Sequence, residues 1–195
     1  MAESEGAFSR ARVEAFSDGV IAVIITIMVL ELKAPAGADP AALWALWPAF
    51  AIYVVSFAFV AIYWINHHAL FARAKSVDAG LIWTNNFLLL CLSLIPFATA
   101  YVAQTHLAPF PTAVYGALQF ACGLSFMLSF ETIARTRRAE SDFAATARGV
   151  RRKNVLSLGV YAVATLAALA SPIAAIALFA LIAIVYVVPT LVAAG

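Results

Sequence analysis

Charge is what this chain has least of: only 11% of its 195 residues are Asp, Glu, Lys or Arg, against roughly 25% in a soluble domain. Cysteine is down to two residues and histidine to three. Apolar residues fill the space, at 65% of the chain with a mean hydropathy of +0.96, where soluble domains run at about 45–50% apolar. A water-soluble globule is excluded, and the expected class is all-α, a polytopic membrane protein. The scarcity of reactive side chains excludes more. There is no HExxH, no phosphate-binding P-loop, no GxSxG elbow and no pair of intramembrane aspartates, so no enzyme is expected. Cys91 and Cys122 lie inside apolar runs, where a thiol packs as a small hydrophobe; neither a disulfide nor a metal pair is expected. The acidic start, Met1 to Gly6, is not followed by a short apolar core with a small-residue cleavage site, so no removable signal peptide is expected.

What is there is a succession of six apolar segments. They run over about 16–33, 43–65, 79–103, 110–133, 155–170 and 173–192, close to the ~20 residues that a bilayer crossing takes. Together they form one six-helix transmembrane domain over residues 1–195. Only Ser171-Pro172 divides the last two. Proline has no amide hydrogen and turns its predecessor away from helix, so a tight hairpin is expected there. With the amino terminus inside, the inner side carries Arg10, Arg12, Arg73, Lys75, Arg135, Arg137, Arg138, Arg148, Arg151, Arg152 and Lys153, and the outer side only Lys33. That asymmetry places both termini in the cytoplasm. Trp44, Trp47 and Tyr101 suit an aromatic belt on the outer face. The basic stretch from Arg135 to Lys153 reads as a short cytoplasmic loop whose charge is explained by topology, with a lipid-headgroup or nucleic-acid patch as the alternative; no nucleic-acid partner is expected. Alanine enrichment in the last two helices fits close helix packing.

The most informative stretch is Arg12-Val-Glu-Ala-Phe16-Ser17-Asp18-Gly19, which runs straight into an apolar helix. An ionisable group at the edge of hydrocarbon is costly and is by default a candidate functional residue. At 100° per residue, Val23, Thr26, Ile27 and Leu30 fall on one stripe, which Phe16 and Gly19 extend toward the inner end. Asp18 falls about 140° away from that stripe and is expected to point into the protein body. An unpaired carboxylate there would be costly. Partners are expected from Trp64, Asn66, His67 and His68 at the end of the second span, and from Thr84, Asn85 and Asn86 in the third. Arg12 lies off the face of Asp18 and reaches it only through a bend near Phe16-Ser17 or from a neighbouring subunit. His67 and His68 point to different faces and lack a third ligand at metal spacing, so no metal site is expected. Glu31 sits at the outer mouth, and Glu131 stands four residues before Arg135 as a surface pair.

These residues resemble the signature of the transmembrane-protein-175 (lysosomal potassium channel) family, in its short prokaryotic six-helix form. Trp64-Ile-Asn-His67-His68, Asn86-Phe-Leu-Leu-Leu and Ile95-Pro96-Phe97 agree with it as well. The resemblance covers the first three spans; the last three match only in length and hydrophobicity. It implies a potassium-permeable cation channel, a homotetramer of six-helix subunits among membrane lipids in a bacterial inner membrane. K+ would be the permeant ion, with no cofactor, and no TVGYG-type carbonyl filter occurs here. By the same resemblance the first helix lines the pore, with Val23, Ile27 and Leu30 as the apolar constriction and Thr26 as a hydroxyl layer. Relatives often carry isoleucine at the narrowest position, where this chain has Val23. Arg12, Phe16, Ser17, Asp18, Gly19, Trp64, His67 and Asn86 would form the structural motif and its hydrogen-bond network. Two other classes stand beside this one. One is a proton- or ion-coupled secondary transporter using Asp18, although no repeat mirrors that position. The other is a membrane scaffold without transport.

Overall fold

The computed structural model describes residues 9–137 and 141–193, and among them every regular element is a helix. The acidic start and Arg138 lie outside the described residues. In chain order the helices are α1 (Arg10–Leu30), α2 (Pro40–Trp44), α3 (Trp47–Phe71), α4 (Ala79–Ser93), α5 (Ile95–Gln104), α6 (Pro109–Thr136), α7 (Ser141–Ala168) and α8 (Pro172–Ala193). Local chemistry sets their ends. Asp39 accepts from the Ala42 amide at 2.8 Å, and Pro40 opens α2 where no amide hydrogen is needed. Asp78 caps α4 in the same way, through the Leu81 amide at 2.8 Å. Pro172 opens α8, which separates it from α7 at Ser171.

Several elements differ from their expected bounds. Helix α1 already starts at Arg10, against about 16, and the second span starts at Trp47, with α2 set apart before it. The second span does not stop at 65: α3 runs on to Phe71 and takes Asn66, His67 and His68 into the helix. The third is two helices end to end. Pro96 sits in the first turn of α5, and Leu94 caps both pieces; a proline there can open a helix but cannot continue one from the preceding turn. The basic stretch, expected as a loop, is largely helix, divided between the end of α6 and the first turns of α7. Arg, Lys and Ala are good helix formers, and the segment has an apolar face of its own. Phe143 and Ala147 are buried with Leu70, Phe71, Phe130 and Ile133. Glu131 takes its partner from this helix and not from Arg135. The Arg151 fork grips it at 2.6 Å (Nε to Oε1) and 2.7 Å (Nη2 to Oε2), a bidentate geometry that favours Arg–carboxylate pairs. The carboxylate raises the Arg151 pKa above its ordinary value.

Among the described residues, four helical stretches are long and apolar enough to cross a membrane: Arg10–Leu30, Trp47–Phe71, Ala79–Gln104 and Pro109–Thr136. Helices α6, α7 and α8 pack together with α3 around Phe59, Tyr115, Tyr161 and Phe179. Gly116 is required at this contact, because a Cβ there would meet the Thr165 backbone at 3.0 Å and the Phe179 ring at 3.0 Å. A second cluster joins Ile21, Ile24 and Met28 of α1 to Val60, Leu88, Leu92 and Cys122. Both cysteines are free and buried, consistent with their use as packing groups. Trp44 and Trp47 are exposed.

Candidate functional site

Helix α1 presents two apolar faces with opposite fates. Ser17, Ile21, Ile24 and Met28 are its buried residues, spaced at i, i+4, i+7 and i+11 and so lying on one side of the helix. That side packs on α3, α4 and α5. The stripe read from the sequence lies on the other side. Val23, Ile27 and Leu30 keep 54%, 43% and 67% of their surface open, and Phe16, Gly19 and Thr26 are exposed with them. Nothing lies within 4 Å of where a Gly19 side chain would stand. Thr26 Oγ1 lies 2.9 Å from the Val23 carbonyl and 3.1 Å from that of Ala22, donating into its own helix. Its hydrogen is spent there, which leaves the oxygen lone pairs as the outward-facing polar feature.

A cleft of about 930 Å³ runs beside the stripe. Phe16, Gly19, Val23, Ile27 and Glu31 form its α1 wall; Ser93, Phe97, Tyr101 and Gln104 face them. The cleft is apolar along its length, with polar groups from Ser93, Gln104 and Glu31.

The back of α1 is fastened by a buried polar chain. Ser17 Oγ donates to the Val13 carbonyl at 2.8 Å and accepts from Asn85 Nδ2 at 3.0 Å. Asn85 Oδ1 lies 2.8 Å from His67 Nε2. Since the Asn85 amide nitrogen is spent on Ser17, its oxygen accepts, and His67 Nε2 carries the hydrogen. The imidazole stacks on Phe71, with centroids 4.5 Å apart. Ser17, His67 and Asn85 are all buried, and the bonds tie α1 to α4 and α4 to α3. Asp18, one residue on, goes elsewhere. It does not point into the protein body; it is exposed and accepts from Trp64 Nε1 at 2.9 Å. One residue turns a helix by 100°, which carries Asp18 off the buried side that holds Ser17.

Of the residues expected in one network, the structure joins Ser17 to His67 and Asp18 to Trp64. It does not bring in Asn86, which is exposed while Asn85 makes the bonds. Arg12, Phe16 and Gly19 are also exposed, and Arg12 makes no side-chain hydrogen bond to a described residue. A second buried network went unread in the sequence. Ser56 of α3, Thr99 of α5, and Tyr115 and Gln119 of α6 are linked at 2.7 to 3.1 Å. Its signal was available: isolated polar side chains in helices otherwise fit for lipid. Among the described residues no three His, Cys, Asp or Glu side chains converge as a metal site would need.

A family model described as the endosomal/lysosomal potassium channel TMEM175 matches residues 12–96, and in a solved channel of that family the whole fold recurs. The crystal structure of a lysosomal potassium-selective channel TMEM175 homolog from Chamaesiphon minutus superposes with a TM-score of 0.83 and 27% identity. It covers 92% of this chain and 97% of that one. The chain belongs to the TMEM175 family. A potassium channel of Chryseobacterium sp. (strain P1-3) is 51% identical over 108 residues, 55% of this chain and 56% of the relative. A potassium channel of Streptomyces collinus is 38% identical over 136 residues, 64% and 65% of the two chains. The chain thus matches somewhat more than half the length of these curated relatives. The TMEM175 match begins at Arg12 and ends at Pro96, so the stripe, the Ser17–Asn85–His67 chain and the Asp18–Trp64 pair all fall inside it.

Proposed function

We propose that this chain is one subunit of a homotetrameric, potassium-permeable cation channel whose pore is lined by α1. One observation carries the reading: α1 buries one face through Ser17, Ile21, Ile24 and Met28 and leaves Val23, Thr26, Ile27 and Leu30 unpartnered on the other. Four copies of that open face around an axis give stacked rings of Val23, Ile27 and Leu30. Apolar rings of this kind close a pore by dewetting. The Thr26 ring offers oxygens that replace part of an ion's hydration shell, and the helix carbonyls already hold the hydroxyl hydrogens out of the way. The bacterial relatives are named potassium channels, which supports the same reading; vertebrate relatives of 30% and 33% identity are named proton channels. In the assembled subunit α7 and α8 complete six spans, both termini are cytoplasmic, and the channel sits among lipids of a cell membrane, a bacterial inner membrane. A carrier built on Asp18 draws no support from the exposed, indole-bonded carboxylate.

The test is ion flux in proteoliposomes. Thr26→Val keeps the shape and removes the oxygen, so the K+/Na+ permeability ratio should fall several-fold while flux persists. An unchanged ratio removes Thr26 from selectivity, and a protein that stays monomeric in membranes removes the α1-lined pore.

A further inference from the structure

At the end of the bundle where the basic residues collect, a cavity of about 190 Å³ opens between α3, α6, α7 and α8. Part of its wall is apolar. The polar part comes from Asn66 and Arg73 on one side, from Lys153, Asn154 and Ser157 of α7, and from Tyr186 of α8. Two cations share this wall, and no described acidic side chain joins them. Glu131, on the neighbouring stretch of α6, is gripped by Arg151. Each cation is positioned without being neutralised. Arg73 Nη1 donates to the Ala69 carbonyl at 2.7 Å, which orients the guanidinium and leaves most of its donors unused. Lys153 Nζ rests 3.6 Å from the centre of the Tyr186 ring, and the Tyr186 hydroxyl is held by Ser157 at 2.8 Å. Partial burial pushes the Lys153 pKa below the ordinary lysine value, as expected for an ammonium losing water without gaining a counter-ion. Asn154 contributes a buried Nδ2 with no acceptor among the described residues.

We propose that this cavity binds a phosphate group, carried by an anionic lipid headgroup or by soluble phosphate, with Arg73, Lys153 and Asn154 as its donors. A buried amide donor without an acceptor is costly, two cations without a described counter-ion stand beside it, and a phosphate answers all three with oxygens. The planar Arg fork suits phosphate geometry, and Lys supplies the compact charge. The space is several times the ~30 Å³ of a water molecule. Its place at the basic end matches the leaflet surface where anionic headgroups attract Lys and Arg. The site does not depend on the pore reading.

The experiment is thermal unfolding of the full chain in detergent, with four additions. Phosphatidylglycerol is set against phosphatidylcholine in mixed micelles, and inorganic phosphate against chloride at equal ionic strength. Phosphatidylglycerol should raise Tm where phosphatidylcholine does not. A response to inorganic phosphate as well assigns the site to the bare phosphate group, and a lipid-only response assigns it to the headgroup in its membrane setting. The double variant Arg73→Gln with Lys153→Gln should weaken the apparent affinity about tenfold or more, and Lys153→Arg should retain it. Should the double variant fail to fold, Asn154→Ala takes its place and must weaken the same response. Equal shifts in wild type and variant, or no preference for either phosphate arm over its control, would overturn the proposal.

Discussion

A buried polar chain runs through the contact of helices α1, α3 and α4, whereas the buried centre of α6, α7 and α8 is built from aromatic rings and small residues. The Glu131–Arg151 and Ser157–Tyr186 bonds lie at the basic end of that second group. In the first group Ser17, Asn85 and His67 bond across three helices. In the second, Phe179 lies 5.4 Å from Tyr115 and 6.4 Å from Tyr161, and Gly116 lets the backbones approach. Lipid tails are as apolar as leucine, so apolar contact alone gives helices little reason to prefer one another. Each half therefore needs a further device, tight shape in one and directed bonds in the other. The devices do different work. Ring packing fixes distance and tolerates small rotations, while a hydrogen bond to Ser17 fixes the rotation of α1 about its own axis. The buried bond at the back of α1 thereby sets which residues stand on its open face.

The largest effect should come from the back half. Phe179 is fully buried among three rings, and Phe179→Ala should cost about 3–5 kcal/mol of stability with the K+/Na+ ratio unchanged in the protein that remains. Denaturation in mixed micelles and flux in vesicles read the two quantities separately. Next comes Asn85→Leu, which removes two interhelical bonds. Bonds of this kind in membranes average about 0.6 kcal/mol and reach about 1.7, so a loss of roughly 1–3 kcal/mol is expected. Unlike Phe179→Ala, it should also disturb conduction, because α1 is then free to turn. Equal and purely structural losses in both variants would erase the distinction between the halves.

Much of this was legible in the residues. The order of the helices, the break at Ser171-Pro172 and the separate stripe of Val23, Thr26, Ile27 and Leu30 follow from hydropathy, proline chemistry and a 100° step. What was not legible has physical causes. Both faces of α1 are apolar, so hydropathy could not say that Ile21 and Ile24 are covered while Val23 and Ile27 are open. Asn85 and Asn86 are the same residue type side by side, and only the rotation of α4 decides which one meets Ser17. A carboxylate near hydrocarbon needs a partner, which by sequence points Asp18 inward; the indole of Trp64 supplies that partner at the surface. Charge dominates the basic stretch and masks Phe143 and Ala147, whose burial makes it helix.

The Asp18–Trp64 pair should give the smallest effect on the protomer and separate assembly from folding. Both residues are exposed, so losing their single bond should change protomer stability by no more than about 0.5 kcal/mol. The two partners can be broken in complementary ways. Asp18→Asn keeps an acceptor for the indole and removes the charge; Trp64→Phe keeps the charge and removes the donor. Asp18 stands on the flank of α1 turned away from Phe16, and with Trp64 it is exposed where a neighbouring subunit would seat in the proposed tetramer. If the bonded pair as a unit holds that contact, both variants should lower the tetramer fraction in native mass spectrometry while leaving the ion preference of the tetramers that form. A loss with Asp18→Asn alone would mean that the charge itself meets the neighbour, with Arg12, six residues earlier and without a described partner, as the natural counter-ion. Unchanged tetramer with lowered protomer stability would instead return the pair to the fold of the single chain.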